Sequence, residues 1–299
     1  MRFEFIKCHG SGNDFPLIDA RALDLSNADW AGVAQALADR AGPVGGDGLL
    51  LLTAGDAAHD FGMRMFNSDG SEAETCLNGL RCVSRLGFEL LGLDTARVKL
   101  KVSSADVSRE AELAPGVVTV RTRAGPAGRD IGLTGPVSGL PTAREFVTVS
   151  MPNPHLVSFV DTVDEAELVA LGEWCEAGPA LIPGRANVSF VEMRGGDLFV
   201  RTFERGVGLT DSCGSAMAAS VYAAALTGRI AFGKPVTVFN KGGMVRGSAE
   251  ADAFVTISGN ATFEYDAAIE VDGETAGEPV ITACRSDEIA AWDTVLARL

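Results

Sequence analysis

Asp60-Phe-Gly-Met-Arg64-Met-Phe66-Asn67 runs into Ser-Asp-Gly-Ser-Glu-Ala-Glu-Thr-Cys76-Leu-Asn-Gly-Leu-Arg-Cys82, and the chain then repeats the arrangement. The second copy is Asp197-Leu-Phe-Val-Arg201-Thr-Phe203-Glu204, followed by Arg-Gly-Val-Gly-Leu-Thr-Asp-Ser-Cys213-Gly-Ser-Ala-Met-Ala-Ala219. Asp60 and Asp197, Arg64 and Arg201, Phe66 and Phe203, and Cys76 and Cys213 are each 137 positions apart. In both copies residues alternate as in a strand and a polar, Gly-bearing turn follows. A cysteine then stands just before small and apolar residues that read as a buried helix.

The flanking segments recur in the same order. Arg2 to Lys7 reads as a strand, His9-Gly-Ser-Gly-Asn13-Asp-Phe15 as a polar turn, and Ser26 as the cap of a helix with Asp29 in its first turn. The turn Gly42-Pro-Val-Gly-Gly-Asp47-Gly48 then leads to a buried strand at Leu49 to Leu52. Phe146 to Ser150, Pro152-Asn153-Pro154-His155, a helix over Glu165 to Glu176 and Pro183-Gly-Arg-Ala-Asn187 before Val188 to Val191 repeat the series. Here Asn13 and Asn153, Pro43 and Pro183, and Asp47 and Asn187 share an offset of 140. A duplicated domain follows, with a ligand cleft expected between the halves. The boundaries read as 1–124, joined by a returning strand at about 262–275, for the first half and 125–261 for the second. Ala124-Gly-Pro-Ala-Gly-Arg129 is the linker candidate. A tail over 276–299 has no repeat partner; Ser286 starts a helix in it, with Ile289, Trp292, Leu296 and Leu299 on one face.

With 299 residues, 46% hydrophobic and 22% charged, the chain is long enough for two cored halves. Its formal charge of −15 argues against nucleic acid or an anionic membrane as partner. No run of about 18 apolar residues is present, and the start Met-Arg-Phe-Glu-Phe-Ile-Lys lacks the apolar centre of a signal peptide. A cytoplasmic location is the expectation. Six cysteines in so long a chain are read as thiols. None has Cys-x-x-Cys spacing and there are three histidines, so no metal site is expected. Cys8, Cys82, Cys175 and Cys284 read as small buried hydrophobes; their matched positions set Cys76 and Cys213 apart.

A cysteine at a helix start meets free backbone amides and the positive end of the dipole, which lower a thiol's pKa and bind anions. Two such thiols on opposite faces of one small molecule could remove a proton from one side of a carbon and return one to the other. Asn13, Asn67, Asn153, Asn187, Glu204 and Arg205 lie in turns expected to converge on the cleft. Asn supplies donors and acceptors, Glu204 suits an ammonium and Arg205 a carboxylate. No pyridoxal or dinucleotide signal is present, so the reading is of a cofactor-free inversion.

At these residues the sequence resembles the diaminopimelate epimerase family. The matching stretches are His9 to Phe15, Gly45 to Leu50, Phe66 to Glu72 with Cys76, Asn153-Pro-His155, Asn187 to Phe190, and Glu204 to Gly208 with Cys213-Gly214. The resemblance implies an α/β (α+β) fold of two pseudo-symmetric domains, each a curled, mainly antiparallel sheet around a central helix. It implies interconversion of LL- and meso-diaminopimelate without cofactor or metal. Cys76 would deprotonate the LL form and Cys213 would serve the reverse direction. His155 and Glu204 would support the thiols. Asn13, Asn67, Asn153, Asn187, Glu204 and Arg205 would contact substrate, with the backbone of Leu77, Asn78, Gly214 and Ser215. A cytosolic homodimer serving lysine and cell-wall synthesis is the family pattern. Leu77 and Ala216 stand where the family has Gly. The alternatives are a cofactor-independent racemase or epimerase of another amino acid, and an inactive relative that binds an amino acid or a protein.

Overall fold

Residues 77–88 and nearly all of 214–225 are helical and buried on every face, so each helix must be wrapped by structure rather than laid on a surface. The computed structural model describes residues 1–129, 139–151 and 153–298. Pro152, counted above in the second polar turn, and Leu299, on the tail helix, lie outside them.

The chain begins with β1 (Arg2–Gly10), β2 (Asn13–Asp19), α1 (Asn27–Ala38), β3 (Gly48–Asp56), β4 (His59–Asn67) and α2 (Leu77–Leu91). It continues through β5 (Thr95–Lys99), β6 (Ser104–Glu110), β7 (Thr119–Ala124), β8 (Val147–Ser150), β9 (Pro154–Val160) and α3 (Glu165–Glu176). Next come β10 (Asn187–Arg194), β11 (Asp197–Glu204), β12 (Gly208–Thr210), α4 (Gly214–Leu226), β13 (Val236–Asn240), β14 (Gly243–Ala249) and β15 (Val255–Asn260). β16 (Thr262–Asp272), β17 (Thr275–Ala276), β18 (Val280–Cys284) and α5 (Ser286–Leu296) end it. Met1–Thr122 with Ser258–Arg298 form one compact unit and Arg123–Ile257 the other.

In the first unit β1 to β6 are neighbours in chain order, paired antiparallel, parallel, antiparallel, parallel, antiparallel. β7 extends the sheet beside β6, and β16 pairs antiparallel with the other edge of β1. The single helix α2 touches every strand from β1 to β6, so the sheet curls round it. Gly92 ends α2 in the left-handed conformation (φ 68°), where a side chain would be strained. On the outer face α1 buries Trp30, Val33 and Leu37 against Phe3, Phe5, Ile18, Leu49, Leu51 and Phe66. The expected Ser26 cap is present, and Asp29 makes it a reciprocal capping box: Asp29 N–H donates to Ser26 Oγ at 3.2 Å, and Ser26 N–H donates to Asp29 Oδ2 at 3.0 Å.

The second unit repeats the pairing through β8, β9, β10, β11, β13 and β14. The Ala-rich α4 takes the place of α2 against these six strands. α3 packs Leu168, Leu171 and Cys175 on Val188, Phe190 and Phe203. A Cβ on Gly172 would lie 2.1 Å from the Phe203 ring, so only glycine allows that approach.

The register corrects one equivalence. Phe66 lies opposite Leu49 and Phe203 opposite Val188, which makes β3 and β10 equivalent at an offset of 139. Leu17 beside Leu50 and Val157 beside Ser189 give the same value. Asn187 therefore corresponds to Gly48, and its pairing with Asp47 at 140 is one residue off. The slip turns no polar side chain outward, because Leu49–Leu52 and Val188–Val191 are buried on both faces.

The tail belongs to the first unit. β18 pairs antiparallel with β16, and α5 packs on β16 with Trp292 and Val295 buried. Glu288 of α5 accepts from Arg85 of α2 at 2.8 Å, on a guanidinium that is 5% exposed, and Arg85 also donates to Glu89 at 2.8 Å. Removing Glu288 strands much of a buried positive charge. Glu288→Ala is expected to cost roughly 2–4 kcal/mol of stability in urea denaturation; a midpoint equal to wild type would show that the tail is a surface ornament.

Candidate active site

A helix start leaves its first backbone N–H groups without helical partners. In both wrapped helices the residue at that point is a cysteine: Cys76 is the N-cap of α2 and Cys213 of α4. Each has extended backbone, with φ −147° and −127°. The two positions share an offset of 137, and the two half-sites built round them differ.

In the first unit Cys76 Sγ accepts from the Gly79 N–H at 3.3 Å and lies 3.6 Å from Asn13 Oδ1. Asn78 Nδ2 also donates to Asn13 Oδ1, at 3.4 Å. Asn13 stands at the end of the tight β1–β2 turn, where Ser11 (φ 54°) and Gly12 (φ 81°) are both left-handed. Serine is strained there, and the conformation is held from outside. Ser11 N–H donates to Asn260 Oδ1 at 2.7 Å, and Ser11 Oγ accepts from Arg81 at 3.0 Å. The amide of Asn13 donates to Asp47, whose other oxygen takes Arg40 at 2.6 Å. Arg40 and Lys7 also bind Asp14, at 2.6 and 2.5 Å. Asn67 is turned to its own loop, donating to Ser71 at 2.9 Å. Leu77 and Asn78, the first two helical residues, are buried.

In the second unit Cys213 Sγ donates to Glu204 Oε2 at 2.6 Å and lies 3.5 Å from Ser215 Oγ. Asn153 Nδ2 donates to Ser215 Oγ at 3.2 Å, and Asn153 Oδ1 is 3.1 Å from His155 Nε2. Asn187 Nδ2 lies 3.4 Å from the same ring nitrogen, while Asn187 Oδ1 accepts the Arg205 N–H at 2.8 Å. Cys213, Glu204, Ser215, Asn153, His155, Asn187 and the Arg205 backbone thus form one bonded chain, with buried Gly214 as the first residue of α4. The Arg205 guanidinium donates to the Gly184 carbonyl at 3.0 Å.

The electrostatics overturn the expectation that both thiols are acidified by their helix starts. Burial first, then the negative charge of Glu204 and the hydrogen bond to it, push the Cys213 thiol well above its ordinary range. Cys213 therefore holds its proton. Burial, reinforced by the Arg205 charge, draws His155 down from 6.5 to about 3, so its ring is neutral at physiological pH. His155 Nδ1 is buried with no hydrogen-bond partner among the described residues.

Ser11, Arg81, Asn260 and the Asp47–Arg40 pair were not among the expected site residues. A signal existed for two of them: Ser11 sits between two glycines, and Arg81, like Arg85, is a cation inside a helix that reads as buried. Asn260 comes from a strand nearly two hundred residues away, and nothing local marks it.

The comparisons with known proteins agree with this architecture. The family model described as diaminopimelate epimerase matches residues 5–126 and 147–264. The diaminopimelate epimerase of Ligilactobacillus salivarius is 36% identical, over 99% of both chains. That of Clostridium acetobutylicum is 34% identical over 91% of this chain and 87% of its own. Among solved structures, a predicted epimerase from Pseudomonas aeruginosa superposes with a TM-score of 0.69 at 18% identity, over 90% of this chain and 100% of its own. A hydroxyproline epimerase from Agrobacterium vitis, with trans-4-hydroxy-L-proline bound, gives 0.64 at 12%, over 99% and 98%. These two carry the fold alone. No helix among the described residues is long and apolar enough to cross a membrane.

The Glu204 contact makes a direct expectation. Glu204→Gln removes the adjacent negative charge, so the Cys213 thiol should ionise at lower pH. Its alkylation at neutral pH should then quicken about tenfold for every pH unit by which the titration midpoint falls. Mass-resolved alkylation of the peptide containing Cys213 measures it; an unchanged rate would mean that burial alone sets the thiol.

Proposed function

The chain belongs to the diaminopimelate epimerase family and is an isomerase, and from that premise we propose that it interconverts LL- and meso-diaminopimelate through two thiols, Cys76 and Cys213. The observation that carries this reading is the matched placing of the two cysteines. Each caps the one helix that its curled sheet surrounds, at equivalent positions of a repeated fold.

The chemistry balances with two protons. The Cys76 thiolate takes the α-hydrogen of the LL form as a proton, and an S–H bond forms as the C–H bond breaks. The electron pair left on carbon delocalises into the substrate carboxylate. Cys213 then delivers its S–H proton to the opposite face and is left as thiolate, and the centre is inverted. In the reverse direction Glu204, already bonded to Cys213, is the base that takes its proton. The first backbone amides of the two helices, at Leu77, Asn78, Gly214 and Ser215, suit the carboxylate on which charge develops. Asn13, Asn67, Asn153, Asn187, Glu204 and Arg205 hold the substrate, and neutral His155 braces Asn153 and Asn187. The reaction needs no cofactor or metal. A cytoplasmic homodimer supplying lysine and cell-wall precursors is the corresponding cellular form.

Incubation with LL-diaminopimelate in heavy water should give meso product with deuterium at the inverted carbon. Cys76→Ala and Cys213→Ala should each lower epimerisation by roughly 10²–10⁴-fold or more. Near-wild-type turnover in either variant would refute the two-thiol mechanism. Exchange with a different amino acid in place of diaminopimelate would assign the site to another substrate and point to Leu77 as the cause.

A further inference from the structure

The β1–β2 turn consists of Ser11 and Gly12, set between the paired residues Gly10 and Asn13. Both are left-handed, at φ 54° and 81°. Asn-Gly takes up such a turn readily, whereas serine in its first position is strained. The backbone N–H groups of both turn residues lead to one buried ring, that of His9 at the end of β1. Gly12 N–H donates to His9 Nδ1 at 3.3 Å. Ser11 N–H donates to Asn260 Oδ1 at 2.7 Å, and Asn260 Nδ2 lies 3.2 Å from the same His9 Nδ1.

These contacts settle where the ring carries its proton. A backbone N–H can only donate, so the Ser11 contact fixes which end of the Asn260 amide is oxygen and leaves Nδ2 as a donor. That Nδ2 also donates to the His9 carbonyl at 3.3 Å and to Thr262 Oγ1 at 2.9 Å. His9 Nδ1 thus faces two donors, Gly12 N–H and Asn260 Nδ2, and meets them with its lone pair. A neutral imidazole with a bare Nδ1 holds its proton on Nε2. A proton on Nδ1 would set a third donor against the other two. Burial is the largest influence on this ring, opposed by Asp14 and Glu288 and aided by Arg81 and Lys7; it draws His9 down to about 4, so the ring is neutral at physiological pH. Trp292 of α5, itself buried, packs on His9 with ring centroids 5.7 Å apart and planes inclined at 54°. The tail therefore braces a ring whose edge holds the turn.

We propose that His9 is a positioning residue for the half-site of Cys76: as the Nε2–H tautomer it presents Nδ1 as the acceptor that locks the left-handed Ser11–Gly12 turn, and so sets the Asn13 side chain beside the Cys76 sulfur. Asn13 follows Gly12 directly, and its Oδ1 lies 3.6 Å from Cys76 Sγ and 3.4 Å from Asn78 Nδ2. A turn released from His9 relaxes out of the strained Ser11 conformation, and Asn13 moves with it. His9 acts through the turn and not on the reacting atoms. Its bearing on catalysis rests on the reading of Asn13 and Cys76 above, whereas its tautomer and its hold on the turn do not.

Proton–nitrogen correlation spectra of the full chain, with isotope-labelled histidine, read the tautomer directly. The chain has three histidines, and the signals lost in His9→Asn belong to His9. They should show a protonated Nε2 and a bare Nδ1 from about pH 8 down to about pH 5. His9→Phe keeps a ring beside Trp292 and loses the acceptor, whereas His9→Asn carries an oxygen as many bonds from Cα as Nδ1 is. In His9→Phe the Gly12 amide should exchange its hydrogen about tenfold faster or more, and kcat/KM for LL-diaminopimelate should fall about 10–100-fold. His9→Asn should recover most of both losses. An Nδ1–H tautomer in wild type, or a ring already charged at neutral pH, would overturn the proposal even if neither variant folds. Wild-type exchange and turnover in His9→Phe would overturn it too, as would equal losses in both variants, which would make the volume of the ring the cause. The expected tautomer and Gly12 exchange in a chain that exchanges no α-hydrogen would leave the hold of His9 on the turn standing and remove the epimerase reading.

Discussion

A helix walled on all sides by strands can meet a small molecule only at its ends. That constraint governs both units. α2 and α4 spend their side chains on the surrounding sheet, which is why α2 is buried from Leu77 through Phe88 and α4 packs with small residues, six of its thirteen being alanine. What remains is the N-terminus, where backbone N–H groups lack helical partners. The cysteine that precedes the first turn, the turn between the first two strands and the end of the strand before the helix are what the chain can bring there. The candidate site is thus the one part of each unit that the core does not consume.

Much of this could be read from the sequence because repetition amplifies weak signals. A cysteine before an apolar run means little once; at matched positions in two strand–turn–helix segments it marks two core helices, and both are found. Ser26 with Asp29 and α3 over Glu165–Glu176 follow from local chemistry, which does not depend on the rest of the fold. Three things did not follow. The one-residue slip of β10 was invisible because strands buried on both faces show no alternation to fix their phase. The raised thiol of Cys213 could not be seen, since Glu204 meets it through the fold rather than through sequence spacing. Asn260 holds the Ser11 turn from the far end of the chain, and an asparagine in a strand gives no hint of such a task.

The tail shows a different limit. The family match ends at residue 264, yet the strand and helix that follow are knitted into the first unit. Glu288 reaches Arg85 in the middle of α2, and the Trp292 ring lies 5.7 Å from that of His9, which opens the Gly-rich turn carrying Asn13. A segment without a counterpart in the other half is thereby coupled to the helix and the turn that frame Cys76. Periodicity identifies such a helix, but the ion pair that anchors it joins residues some two hundred positions apart.

The unlike surroundings of the two cysteines bear on how a doubled gene could come to work. Two copies of the second half would offer two thiols that both hold their proton, as Cys213 does beside Glu204. Asn67 against Glu204 and Arg81 against Ala218 are places where the two halves no longer match, so the doubled chain is symmetric in its fold and not in the surroundings of its cysteines.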